Sequence, residues 1–229
     1  MGNLSEGKYT LLTDYDAGTA YSEAFHTLFA NIRFNWESDA STSSQVHTLL
    51  LTTPSDYAEQ AAAAANLAIV AAQSGTATIL VDADLHSPSL QQSFGLDRNT
   101  GLSDLLLEEE MTPERVVDCL QSTFIPGFRV LSAGTKTAQG PTLLLSPKLE
   151  KCMCSIRQVL DASETKPGIV IYHSPPALAG VDASLIGALV EQTLLTIIAG
   201  RTTREQAKQA QEQLQRAHTN LAGIIMLNP

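Results

Sequence analysis

The chain has 229 residues, 44% of them hydrophobic, with 24 acidic residues against 14 lysines and arginines and a formal net charge of -10. That length and apolar content suffice for one folded core and exclude a disordered polyelectrolyte. The acidic balance opposes nonspecific binding to nucleic acid or an anionic membrane and makes a basic protein the easier partner.

No apolar run reaches the roughly 20 residues that span a bilayer. The start, Met1 to Glu6, has Glu6 where a myristoylation signal needs Ser or Thr, and it lacks an apolar secretory core. A soluble, cytoplasmic chain is expected. Cys119, Cys152 and Cys154 are read as thiols rather than metal ligands, because residues two apart on a helix point to different faces.

In chain order, an amphipathic helix over Ser22 to Asn35 and a polar stretch, Glu37 to Ser44, form an N-terminal helical arm (residues 1–44). This arm either packs on the sheet or reaches a neighbouring subunit. Strands are predicted over Thr48–Thr53, Thr78–Asp82, Arg129–Leu131, Ile169–His173, Thr193–Ile198 and Gly223–Leu227. Helices are predicted over Tyr57–Ser74, Pro113–Gln121, Pro147–Ala162, Ala183–Glu191 and Arg204–His218. This alternation predicts one α/β domain over residues 1–229: a doubly wound, mostly parallel sheet with helices on both faces, a P-loop-like three-layer sandwich.

Ligands in such sheets sit beyond the carboxyl ends of the strands. The first strand runs through Thr52-Thr53-Pro54-Ser55-Asp56-Tyr57 into a helix, the layout of a phosphate-binding loop G-x-x-x-x-G-K-[ST]. By position, Glu59 replaces the last glycine, Gln60 the lysine and Ala61 the magnesium-binding hydroxyl, with Tyr57 and Ala62 as further vestigial positions. Asp56 and Glu59 have capping-box spacing, which would fill the helix start with the protein's own carboxylates. The loop is therefore either a well-capped structural element or a repurposed anion site.

After the second strand, Asp82 and Asp84 form a D-x-D pair that suits a magnesium-phosphate site or, equally, a capped turn. His173 ends the strand before Ser174-Pro175-Pro176, where a hydrogen-bonded structural role is the plainer reading. Asn228, past the last strand, is a candidate contact for a nucleotide base.

Taken together these stretches resemble the bacterial tyrosine kinases of capsule and exopolysaccharide synthesis, relatives of the MinD and ParA ATPases. The resemblance runs through Ser22 to Ile32, similar to S-E-A-[FY]-R-T-L-R-T-N-I, and Ala64 to Ala68. It continues through Val81 to Leu90, similar to V-D-A-D-L-R-R-P-S-L, then Gly101 to Leu106, Leu131 to Gly134 and Ser174 to Asp182. The departures fall on chemistry. Where the family has P-G-E-G-K-S, this chain has Asp56 to Ala61. The aspartate of I-I-D-T-P-P falls on His173, and the two arginines after D-x-D fall on His86 and Ser87. Of the E-x-x-R-x-x-R ring motif only Glu23 remains, with His26 and Phe29 at the arginine positions.

What the resemblance implies is a degenerate member. Catalytic residues are not expected, and Asp82, Asp84 and His173 are vestigial. No cofactor is expected, and Asp82 and Asp84 hold magnesium only if ATP binds. Loop glycines replaced by Tyr57 and Glu59 add about 1–2 kcal/mol of strain each wherever positive φ is needed. The leading expectation is an inactive pseudokinase that scaffolds or regulates polysaccharide synthesis or export. The alternative is an active kinase or ATPase whose site a partner completes. Implied partners are a membrane polysaccharide co-polymerase, which would recruit the chain to the inner face of the plasma membrane, or an active paralogue. Glu23, His26 and Phe29 are candidate contacts in a homo- or hetero-oligomer, and nucleic acid is not expected. Tyr9, Tyr15 and Tyr21 are read mainly as packing residues of the arm, with phosphorylation by an active paralogue as the other reading.

Overall fold

A computed structural model describes residues 11–14, 18–38, 45–57, 59–96, 100–136, 140–162 and 167–228. Its centre is a set of parallel strands whose sequences are apolar without alternation, as expected when both faces are covered. Strands β1 (Val46–Thr52), β2 (Ala77–Asp82) and β5 (Gly168–His173) are buried at every position. With β3 (Gln121–Ser122), β4 (Phe128–Leu131), β6 (Gln192–Ile198) and β7 (Leu221–Leu227) they form a seven-stranded sheet of order β3-β4-β2-β5-β1-β6-β7. All neighbours are parallel except β3 and β4. The two-residue β3 carries no sequence signal, and it ends the preceding helix, α5 (Pro113–Cys119), two residues before its expected limit.

One face is covered by α1 (Ala20–Ser38) and α2 (Glu59–Gln73). In α1 the buried residues Phe25, Phe29, Ile32 and Trp36 recur at helical spacing and bring one stripe onto the core. Phe29 corrects the sequence reading. Instead of lying on an exposed contact face it is 3% exposed and packs edge-on against Trp36, whereas Glu23 and His26 lie on the outer face. The heptad-like spacing Phe25-Phe29-Ile32-Trp36 places it on the buried stripe. The arm is joined to α2 by buried Asn66, which accepts from the Leu12 backbone amide at 2.8 Å and donates to the Tyr21 hydroxyl at 3.0 Å. Tyr21 is thus a packing residue, as expected. Tyr9, Tyr15 and the stretch from Asp39 to Ser44 lie outside the described residues.

The other face carries α5, α7 (Lys148–Asp161) and three short helices, α4 (Leu102–Leu107), α6 (Gly140–Leu143) and α8 (Asp182–Gly187). One further short helix, α3 (Leu90–Ser93), follows β2, and α9 (Arg204–Arg216) flanks β7. Helix α9 starts with a reciprocal cap: Thr203 Oγ1 accepts from the Gln206 amide, and Gln206 accepts from the Thr203 amide. The family-like stretches Gly101 to Leu106 and Leu131 to Gly134 meet here. Leu102 and Ser103 amides donate to the Ser132 and Ala133 carbonyls at 2.9 Å, and Asp104 accepts from the Gly101 and Thr135 amides. A Cβ on Gly101 would stand 2.0 Å from the Ser132 carbonyl oxygen, so only glycine allows this approach. Of the cysteines, Cys119 and Cys152 are buried and Cys154 is exposed.

Candidate functional site

Register places the site. In the sheet β5 lies between β2 and β1, with His173 opposite Asp82 on one side and Leu51 on the other. The loops after these three strands therefore converge, and a cavity of about 320 Å³ lined by Tyr57, Gln60, Ala61, Asp84, Ser89 and His173 opens between them. A second cavity of about 350 Å³ adjoins it, the two sharing Asp56, Asp84 and Ser87. Of the vestigial residues proposed from sequence, Tyr57, Gln60, Ala61, Asp84 and His173 line this cleft, whereas Glu59, Ala62, Asp82 and Asn228 do not. Asp82 is fully buried behind it, and Asn228 is exposed beyond β7 and lines neither cavity.

Gln60, which the sequence pattern sets at the position of the loop lysine, is buried. Its Nε2 donates to the Ser174 carbonyl at 2.5 Å, and its Oε1 lies 2.5 Å from the Thr53 hydroxyl, which is also 2.7 Å from the Ser55 carbonyl. One neutral amide thus ties the loop after β1 to the loop after β5. The next residue, Ala61, presents a buried methyl where a metal-bound hydroxyl would stand.

The capping box expected of Asp56 and Glu59 is not formed. The helix begins at Glu59, so this residue sits in the first turn rather than three residues into it, and no side-chain hydrogen bond joins it to Asp56. Its carboxylate instead meets Arg201, Oε1 to Nη1 at 2.6 Å, and the same guanidinium lies 5.0 Å from the centre of the Tyr57 ring. Gln206 Nε2 adds a bond to Ser55 Oγ at 3.0 Å. The phosphate-like loop is latched from outside by the segment after β6, and Tyr57 and Glu59 both have negative φ, so the strain expected at the former glycine positions does not arise. Arg201 and Gln206 were not legible as site residues, since they lie 142 and 151 positions from their partners.

The two aspartates form turns. Asp82 Oδ1 accepts from the Asp84 amide, and its Oδ2 accepts from the Ser89 and Leu90 amides at 3.1 Å, capping α3. Asp84 Oδ1 accepts from the His86 and Ser87 amides. Burial pushes the Asp82 carboxyl up to about 7, against the pull of these amides. Burial pushes His173 the other way, to about 4, so its ring is neutral at physiological pH, and its Nδ1 has no hydrogen-bond partner. His86, at an arginine position of the family pattern, is paired with Asp182, Nε2 to Oδ2 at 2.9 Å.

No magnesium ligand set is completed by these residues: among the described residues no group of three or more His, Cys, Asp or Glu side chains converges as a metal site. Ala61 is read at the hydroxyl position and His173 at the carboxylate position, and backbone amides of Asp84, Ser89 and Leu90 already use both oxygens of Asp82. The residues present do not fit MgATP.

No protein-family model matches the chain. It is 31% identical over 205 residues to the tyrosine-protein kinase YwqD of Bacillus subtilis, an alignment covering 90% of this chain and 80% of that protein. The chain belongs to the bacterial tyrosine-protein kinase family. Against longer family members it spans only part: 20% of the tyrosine-protein kinase etk of Escherichia coli, at 28% identity. Among solved structures, the chimerical protein CapA2B2 superposes with a TM-score of 0.78 at 25% identity, over 96% of this chain and 91% of that one. The kinase domain of E. coli ETK gives 0.81 at 22% identity, covering 99% and 82%, a likeness of fold. The kinase-family fold is thus retained around the cleft lined by Tyr57, Gln60, Ala61, Asp84 and His173. Among the described residues no helix is long and apolar enough to cross a membrane.

Proposed function

We propose that this chain is a catalytically inactive member of the tyrosine-kinase family, a pseudokinase that acts as scaffold or regulator in exopolysaccharide or capsule synthesis and export. The observation that carries the reading is Gln60. Phosphoryl transfer depends on positioning and charge neutralisation, and in P-loop proteins the loop lysine supplies the charge on the phosphates. Here that position holds a buried neutral amide engaged at both ends. Ala61 and His173 stand in the same cleft where a hydroxyl and a carboxylate would be needed, and among the described residues its lining holds no lysine or arginine to neutralise phosphate.

Its partner, on this reading, is a membrane polysaccharide co-polymerase or an active kinase of the family, as the relatives' kinase names and the family pattern suggest. Glu23 and His26 on the outer face of α1 stand where the family's ring contacts would be, and Phe29 has left that surface for the core. Assembly through this face therefore differs from the family ring. The test is thermal denaturation of the purified chain with MgATP and MgADP. No shift is expected at millimolar nucleotide, and a rise in Tm following RT ln(1 + [L]/Kd) overturns the proposal.

A further inference from the structure

The cleft between the loops after β1, β2 and β5 is lined by acidic side chains. Its walls carry the carboxylates of Asp56 and Asp84 and, among the described residues, no lysine or arginine side chain. Both turn hydrogen bonds of Asp84 use Oδ1, so Oδ2 remains without a partner among the described residues. His173 lines the same cavity, is 3% exposed, and has a buried Nδ1 without a hydrogen-bond partner among the described residues, which accepts in the tautomer protonated at Nε2. A buried acceptor left unmatched is costly, and a donor entering the cleft would match it. The loop already recognises one guanidinium on its outer side, where Arg201 lies over Tyr57 and against Glu59.

We propose that the cleft between the loops after β1, β2 and β5 receives an arginine or lysine side chain from a basic segment of a partner protein, its N–H groups directed at Asp84, Asp56 and His173. A protein segment, rather than a metal ion, is favoured because no metal-ligand cluster is present among the described residues. The net charge of -10 would draw a basic segment toward this surface. Asp182 does not compete, since His86 holds it at 2.9 Å. The inference rests on the reading that the cleft does not hold a nucleotide, and it names the chemistry of the partner at that site.

The test follows the ring signals of His173 and the backbone amides of Ser87 and Ser89 by NMR in the full chain. The probes are an acetylated Gly-Arg-Gly amide, the same peptide with neutral citrulline, agmatine, magnesium chloride and MgATP. The arginine peptide is expected to move these signals, with citrulline weaker by about tenfold, the scale of one charge-assisted hydrogen bond. Asp84→Asn and Asp56→Asn are each expected to weaken the arginine peptide several-fold while the spectrum outside the cleft is unchanged. Equal effects of arginine and citrulline, no effect of the arginine peptide up to its solubility, binding of agmatine without the peptide, or equal shifts with magnesium alone overturn the inference. If MgATP binds, the pseudokinase reading falls as well. If neither MgATP nor the arginine peptide binds, only the present inference falls.

Discussion

Restoring the missing lysine is the sharpest perturbation of the loop. In Gln60→Lys a buried residue that accepts from Thr53 and donates to Ser174 becomes a cation with donors only. Thr53 keeps the Ser55 carbonyl as an acceptor, so its loss is small. The ammonium loses most of its hydration but can extend toward Asp84 in the adjoining cavity. Together these place the cost at about 1–3 kcal/mol, the range for a disturbed buried polar contact. At about 2–4 °C per kcal/mol for a chain of this size, the melting temperature should fall by roughly 2–12 °C. Scanning calorimetry with and without MgATP reads both effects. No nucleotide-dependent rise is expected, because Ala61 and His173 still lack the hydroxyl and the carboxylate. A MgATP-dependent rise in the variant refutes the reasoning, since it would mean that the cleft lacked only its charge.

Three other outcomes are expected. Asp82 keeps a proton in the folded state up to about 7 while an unfolded aspartate ionises near 4, so its contribution is lost as pH rises through that window; His173, neutral down to about 4, contributes stability above 6.5 that is lost as pH falls. Between roughly pH 4 and 6.5 the two slopes oppose, so denaturant-measured stability should be flatter in the parent than in the variants. His173→Gln should fall with pH and Asp82→Asn should rise with it, by up to about 1.4 kcal/mol per unit; parallel profiles contradict this. Gly101→Ala drives a Cβ to 2.0 Å from a backbone oxygen and should cost about 1–3 kcal/mol in chemical denaturation, whereas an unchanged midpoint means that the contact is not tight. Arg201→Ala breaks a half-exposed ion pair and should change stability by under about 1 kcal/mol. It should nonetheless speed amide exchange at Tyr57 and Gln60, and unchanged exchange removes the latch.

The sheet was legible because its strands are short, apolar and separated by helical patterns. Val46–Thr52, Ala77–Asp82 and Gly168–His173 each fall within two residues of their expected limits. The short β3 was not, because two residues carry no periodicity and their pairing is set by β4. At the site, Gln60, Ala61, Asp82, Asp84 and His173 were placed by motif position, and register then brought them together. Asp82 and Asp84 make the hydrogen bonds of a capped turn. The capping box failed because local spacing cannot see a partner such as Arg201 that arrives from another loop. Phe29 is buried for a related reason: its spacing from Phe25, Ile32 and Trp36, and not the arginine of the family pattern at that position, sets the face on which it lies.

The central claim is that this member of the family does not transfer phosphate. It is tested most directly by incubating the purified chain with γ-labelled MgATP, alone and with a candidate co-polymerase or active family kinase carrying its own inactivating substitution, and counting label on tyrosine and released phosphate. The expected result is no transfer and no release above the protein-free rate. Stoichiometric label on this chain, or turnover that disappears in Asp82→Ala, would contradict the account.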